Sequence, residues 1–361
     1  MQTIEEINRS FEKMIMKTRD SLEPVRWKNG VLEAIDTTRL PSRLVYVRMR
    51  TVDQVCSAIR SMKVRGAPLI GVVGAYGLVL AATRIRSTDL TRARSELRRS
   101  ADSLILTRPT GVNLRWAVER VFKATTRAKS VSSISDELKH EADAILREEL
   151  EAAHKIGQFG SKLIEDGDTV LTHCNAGSLA TAGYGTSLAV IRSAVEAGKS
   201  VSVIATETRP LLQGSRLTAF ELSRDKIPVR VICDSASAQL MAQGVVDKVV
   251  VGADRILGTG HVTNKIGTLP IALGAKFYGV PFYVAASVST LDLVTDVSQV
   301  IIEERDQKEV LSIGGRRFAP RGIGALNPAF DVTPPELVTG IVTDRGVAMQ
   351  PLAESIHRML G

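Results

Sequence analysis

The chain has 361 residues, 44% hydrophobic and 24% charged, with 47 Lys+Arg against 39 Asp+Glu and a formal net charge of +8. That balance excludes a mainly disordered chain, a collagen-like repeat and a disulfide scaffold, and the length suggests about two domains with a core that needs no covalent staples. The three cysteines, Cys56, Cys174 and Cys233, form no Cys-x-x-Cys pair, which removes zinc ribbons and thioredoxin-like chemistry.

Residues 1–17 are of mixed charge and read as helix without the apolar core of a secretory signal. The apolar stretch 67–82 is rich in Gly and too short to span a bilayer, so a cytoplasmic protein is expected. Up to about Lys139 the pattern is mostly helical, with short strands expected at 32–36 and 44–49. A helix is expected over 51–62, with Thr51 at its N-cap.

The basic excess is local. Residues 84–129 hold twelve Lys/Arg against four acids, which equals the whole net charge. Its two aromatic residues, Trp116 and Phe122, are too few to form a platform for base stacking. It reads as solvated helix faces, or as a positive field that draws in a phosphorylated metabolite. Nucleic acid and membrane partners are not expected.

Residues 137–164 form a long amphipathic helix pattern that bridges two expected domains, 1–140 and 141–361. Beyond Asp166 short Val/Ile-rich runs alternate with helical segments, at 169–172, 201–205, 229–233, 248–251 and 281–285. Continuous apolar runs followed by loops and helices predict a buried parallel sheet, hence an α/β fold. The Gly/Pro-rich segment 314–335 reads as a long ordered loop able to cover a site.

Ligands of open α/β sheets bind beyond the carboxyl ends of the strands. Those ends carry His173-Cys174-Asn175, Glu207-Thr208-Arg209, Asp234-Ser235, Asp254-Arg255 and Ser287. Cys174 lies before a Gly/Ser/Thr-rich stretch, where helix N–H groups would lower a thiol pKa or bind phosphate; otherwise it is a small buried hydrophobe. His173, one residue earlier, points to the other side and reads as structural. Asp254 leaves an apolar strand, so lost hydration raises its pKa and suits a general acid, unless it caps a helix or pairs with Arg255. Asn264 and Lys265 stand where a helix is expected to begin, either as a phosphate site or as ordinary surface. Arg65 directly precedes a Gly-rich helix, and Arg108 sits before Pro109, which can fix it toward an anion. No Walker loop, dinucleotide glycine fingerprint or His-Glu-x-x-His motif is present in the sequence.

From about Val25 to Met349 the chain resembles the methylthioribose-1-phosphate isomerase family, within the superfamily of initiation factor 2B alpha, beta and delta subunits. The resemblance is carried by VRWKNG, VRGAPLIGVVGAYG, TRPTGVNLRWA, THCNAGSLATAGYGT, ETRPLLQGSRLTAFEL, VVVGADRI, NKIGT, VPFYVAA, EERD and NPAFDVTPPELV. It implies a small, mainly helical N-terminal domain, a larger Rossmann-like domain, and an aldose–ketose isomerase of methionine salvage. It implies Cys174 and Asp254 as the catalytic pair, and Arg65, Gly66, Ala67, Arg108, Gln213, Asn264 and Lys265 as substrate-binding residues. It further implies a homodimer with no cofactor and no metal. The chain departs from the family pattern at Leu69, Leu269 and Ala205-Thr206, and residues 1–22 precede the shared region as an extension. Related alternatives are a ribose-1,5-bisphosphate isomerase, an isomerase of another 5-substituted ribose 1-phosphate, and a non-catalytic translation-initiation regulatory subunit.

Overall fold

The computed structural model describes residues 22–361; the helix expected over 1–17 and all but the end of the extension lie outside them. The chain opens with an antiparallel meander, β1 (Val25–Lys28), β2 (Val31–Ile35) and β3 (Tyr46–Met49). Helix α1 (Val52–Arg60) follows, its first turn closed by the Thr51 hydroxyl accepting from the Gln54 N–H. Four more helices form a layer: α2 (Ala67–Ala82), α3 (Leu90–Ile105), α4 (Val112–Ala124) and α5 (Val131–Gly160).

Helix α2 is apolar all round because it is the axle of this layer, buried along nearly its whole length. Its small residues set the packing distance. A Cβ on Gly74 would stand 2.5 Å from Leu114 Cδ1, so α4 reaches its seat only because glycine is there.

The basic segment lies largely on α3 and α4 and is answered by its own Glu119 on α4 and by the acidic face of α5. Arg98 forks onto Glu119, Arg120 pairs with Glu141 and Glu148, and Arg127 with Glu137 and Glu141. Helix α5 starts at Val131 rather than at 137, because Ser130 and Ser133 form a reciprocal cap upstream of the amphipathic run. It ends at Gly160 with a short 3₁₀ turn to Leu163. Ile134, Leu138, Ala142 and Ile145 of α5 belong to the helical core, whereas Ile156 belongs to a core under the sheet.

The second half contains β4 (Thr169–Thr172), α6 (Ser187–Glu196), β5 (Ser202–Thr206), α7 (Ala219–Arg224), β6 (Val229–Ile232), α8 (Ser237–Ala242) and β7 (Lys248–Val251). Then come β8 (Arg255–Leu257), β9 (Val262–Lys265), α9 (Thr268–Tyr278), β10 (Phe282–Ala285) and β11 (Leu291–Asp292). The chain ends with α10 (Lys308–Leu311), β12 (Ser312–Ile313), β13 (Arg316–Arg317), β14 (Phe330–Thr333), β15 (Gly340–Thr343), β16 (Gly346–Met349) and α11 (Leu352–Leu360).

The main sheet has the order β16-β15-β10-β7-β4-β5-β6. All neighbours are parallel except the hairpin β15/β16. From β4 the chain builds outward through β5 and β6 on one side, then returns to β7 on the other. The strand order therefore reverses between β4 and β7, the place where such sheets open a crevice. A smaller sheet, β11-β8-β9-β14, sits beside it. No helix among the described residues is long and apolar enough to cross a membrane.

Candidate active site

Cys174 follows β4 and Asp254 follows β7, so they stand at the ends of the two strands that flank the reversal. Both line a crevice between the sheet and the helical layer. Its larger lobe also takes Arg65, Gly66 and Ala67 from the start of α2, Arg108 and Thr110 from the turn before α4, and Gln213, Thr263 and Lys265. A smaller lobe shares Arg65, Gly66, Ala67, Cys174 and Asp254 and adds Asn175 and Asn264. The crevice thus brings together all nine residues singled out in the sequence. It also has an apolar wall that the sequence did not single out: Ile59, Met62, Val64, Ile70, Val300, Ile301 and Phe330. Each of these, read alone, is indistinguishable from a core residue.

The backbone at Cys174 is clamped. It adopts φ 62°, a left-handed conformation uncommon outside glycine. Its N–H donates to Thr208 Oγ1 at 3.0 Å, and its carbonyl accepts from Thr218 Oγ1 at 2.6 Å. Next to it, His173 is fully enclosed. Its Nε2–H donates to the Ile266 carbonyl at 2.9 Å, which leaves Nδ1 to accept from Thr206 Oγ1 at 2.7 Å. Burial holds the His173 pKa down, so the ring is a neutral strut under the crevice.

Arg65 is held from behind. Asn175 accepts from it twice, through Oδ1 at 2.5 Å and its carbonyl at 3.0 Å. Asn175 Nδ2 in turn donates to Glu221 at 2.9 Å, and Glu221 also receives the N–H groups of Ser178 and Leu179 and a guanidinium N–H of Arg192. The helical layer descends onto this loop because residue 66 is glycine: at φ 98°, a Cβ there would lie 2.3 Å from the Ala180 carbonyl oxygen.

The electrostatics are set by burial. The Asp254 carboxyl is raised by desolvation, against the pull of Lys265, Arg65 and Arg108. The Cys174 thiol is likewise raised by burial, with Arg65 and Lys265 acting the other way and Asp254 adding to the rise. Burial lowers Lys265, against the pull of Cys174 and Asp254. Arg255 does not neutralise Asp254; it reaches Asp292 at 3.5 Å and the Thr110 carbonyl at 3.1 Å.

Three expectations need correction. Asn264 and Lys265 end strand β9 rather than opening a helix, and α9 begins only at Thr268. The amides there are not free for phosphate, because Asp331 Oδ2 accepts from Gly267 N at 2.8 Å and Leu269 N at 3.1 Å. Nor does a helix N-terminus lower the Cys174 thiol: α6 starts at Ser187, and the intervening 3₁₀ turn gives its first N–H groups to Glu221. Segment 314–335 does reach the crevice, through Phe330 on β14, and Val300 and Ile301 before it line the crevice as well.

The remaining strand ends serve as scaffold. Asp234 accepts the N–H groups of Thr208 and Arg209, both at 2.7 Å, and Ser287 bonds Ser289 at 2.7 Å. Among the described residues no cluster of His, Cys, Asp and Glu is arranged to hold a metal.

A parallel sheet with an enclosed thiol–carboxyl crevice at its switch point, roofed by a helical layer, defines an α/β crevice protein. The pattern of the Initiation factor 2 subunit family matches residues 63–350. The chain belongs to that family. It is 48% identical over 343 residues to the methylthioribose-1-phosphate isomerase of Carboxydothermus hydrogenoformans, covering 94% of this chain and 99% of that one. It is 49% identical over 342 residues to the protein of the same name from Desulforudis audaxviator, covering 94% and 98%. Among solved structures, the 5-methylthioribose 1-phosphate isomerase of Pyrococcus horikoshii superposes with a TM-score of 0.86 at 38% identity, over 94% of this chain and 95% of that one. A structure described as translation initiation factor eIF-2B, subunit delta, from A. fulgidus superposes at 0.84 with 45% identity, over 94% and 99%.

Proposed function

We propose that the protein is an aldose–ketose isomerase that converts 5-methylthioribose 1-phosphate to 5-methylthioribulose 1-phosphate, a step of methionine salvage. The observation that carries this function is the pairing of one thiol and one carboxyl at adjoining strand ends, unneutralised by a partner salt bridge, beside an apolar wall. The names of the relatives point the same way.

The anomeric carbon of this substrate carries phosphate, so its ring cannot open freely to an aldehyde. Asp254, held protonated by burial, gives its proton to the ring oxygen as the bond from C1 to that oxygen breaks. The C2 hydrogen then has two routes to C1. In the first, the Cys174 sulfur, drawn toward thiolate by Arg65 and Lys265 against its burial, takes it as a proton, leaving an enol phosphate across C1 and C2. The thiol returns the proton to C1 as the C2 hydroxyl loses its proton to the Asp254 carboxylate and becomes the ketone. In the second, hydrogen passes from C2 to C1 as hydride, and the C2 hydroxyl proton goes to the enzyme. Either route balances without a co-reactant, and exclusion of water keeps Asp254 neutral and the intermediate intact. Deuterium at C1 of product formed in deuterated water supports the first route; its absence leaves the second open, because a shielded thiol also returns the same hydrogen.

The phosphate finds positive charge in Arg65, Arg108 and Lys265. It also finds the N-terminus of α2, where Gly66 and Ala67 stand with no side-chain cap on the first turn. Gln213 and Asn264 face the sugar. The apolar wall takes the C5 substituent. A ribose 1,5-bisphosphate would press a second phosphate against Ile59, Val64, Ile70 and Phe330, which argues for methylthio or another apolar group.

The homodimer belongs to the same proposal, and Leu273, Phe277 and Tyr278 on α9 expose apolar surface for it. A second function, as a translation-initiation regulatory subunit, is favoured by the name of the A. fulgidus structure; such a subunit has no use for a buried thiol beside a desolvated carboxyl. The test is a product assay with 5-methylthioribose 1-phosphate and ribose 1,5-bisphosphate side by side. Turnover of the first and at least about 100-fold less of the second is expected. The reverse preference, or turnover of neither, overturns the proposal.

A further inference from the structure

Protein interiors seldom leave a polar atom both buried and unpaired, and each exception asks for an explanation. Among the described residues, two such side-chain oxygens belong to residues lining the crevice: Gln213 Oε1 and Thr263 Oγ1. Gln213 is 3% exposed and Thr263 is 7% exposed. Gln213 is already placed against substrate above; Thr263 is not.

Strand geometry says why Thr263 matters. Successive side chains of a strand face opposite ways, so positions 263 and 265 share a face and 264 takes the other. The crevice follows that alternation: Thr263 and Lys265 line the larger lobe, and Asn264 lines the smaller. Thr263 is also tied to the acid of the site, because its carbonyl accepts the Asp254 N–H at 2.9 Å. Asn264, by contrast, has a partner within the protein: its Nδ2 donates to Thr268 Oγ1 at 3.0 Å.

We propose that Thr263 is a substrate-contacting residue whose hydroxyl, together with the Gln213 carboxamide oxygen, hydrogen-bonds the ribose hydroxyls of the sugar phosphate. The inference rests on the isomerase function proposed above and adds a contact to it. The chemistry is complementary. An amide oxygen can only accept, and a threonine hydroxyl is free to donate. A vicinal diol meets both needs, one hydroxyl giving its proton to Gln213 and another accepting from Thr263. Such a site selects for the diol, because an analogue lacking the hydroxyl leaves the protein atoms unpaired again.

The same structure supplies a control. Thr333 on β14 is fully buried, its hydroxyl is also unpaired, and it lines neither lobe. Thr→Val keeps the shape and deletes the hydroxyl at either position. Steady-state kinetics with 5-methylthioribose 1-phosphate and thermal unfolding are measured for wild type, Thr263→Val, Thr263→Ser and Thr333→Val. Thr263→Val is expected to lower kcat/KM roughly tenfold or more, mostly through KM, while its Tm stays level or rises. Thr263→Ser restores kcat/KM to within about threefold of wild type. Thr333→Val leaves kcat/KM unchanged. A kcat/KM for Thr263→Val within about twofold of an active wild type overturns the contact, as does a loss that comes with a falling Tm and no rescue by serine. An inactive wild type overturns the isomerase function itself, a result read from wild type alone.

Discussion

Two buried charge clusters stand on opposite sides of the loop that follows β4, and they are built on opposite terms. Behind the loop, Glu221 is fully buried and receives Asn175, Ser178, Leu179 and Arg192, while Arg192 also binds Asp225 at 2.6 Å and the Tyr184 carbonyl at 2.6 Å. Every charge there is answered. In front of the loop, Cys174 and Lys265 are buried and Asp254 is half-buried, and desolvation shifts each toward its neutral form. A satisfied cluster holds a fold; an unsatisfied one stores reactivity, because a ligand completes it.

The largest expected effect breaks the front cluster. Cys174→Ser and Asp254→Asn are each expected to lower kcat/KM by about 10³-fold or more, while circular dichroism and Tm show an intact fold. Near-normal rates in either variant would remove that residue from the chemistry.

The back cluster is expected to fail in the other currency. Arg192→Met leaves Glu221 and Asp225 without their buried cation and should cost about 3–5 kcal/mol of stability in urea unfolding. A loss below about 1 kcal/mol would show that the network is not the structural anchor.

Glu149 on α5 sharpens the comparison, since it is buried and, among the described residues, has only the Ser289 hydroxyl, at 2.9 Å, as a donor. Burial pushes its pKa up to about 7, with Asp344 and Glu148 adding to the rise. The folded state therefore holds this proton at pH values where the unfolded chain has released it. Stability is lost as pH rises from about 4.5 to about 7. Glu149→Gln should leave stability unchanged at pH 4 and raise it by up to roughly 3 kcal/mol at pH 8. An equal effect at both pH values would contradict the shift.

The smallest effect belongs to the exposed ion pairs of the basic segment. Arg98→Ala removes a half-exposed fork with Glu119 and should cost under about 1 kcal/mol, falling further at high salt.

Much of this site is legible in sequence because buried parallel strands write themselves as continuous apolar runs. The runs at β4 and β7 match the structure residue for residue, and the reactive groups stand at their ends. What is not legible arises from long-range pairing. Asp331 seals the α9 amides from more than sixty residues away, so the phosphate site expected there is closed. The small sheet of β8, β9, β11 and β14 has strands of two to four residues, too short to show a period, so Asn264 and Lys265 read as a helix start and nothing in the sequence marks Thr263. The apolar wall draws on four separated segments, around Ile59, Ile70, Val300 and Phe330, and only the fold makes them neighbours.

The central physical claim is that a dry crevice keeps the Asp254 carboxyl protonated at neutral pH. Infrared difference spectroscopy of wild type against Asp254→Asn, at pH 7, reads that proton directly. A protonated-carboxyl C=O band present in wild type and missing from the variant is the predicted result. A difference spectrum showing only ionised carboxylate at that position would contradict the account.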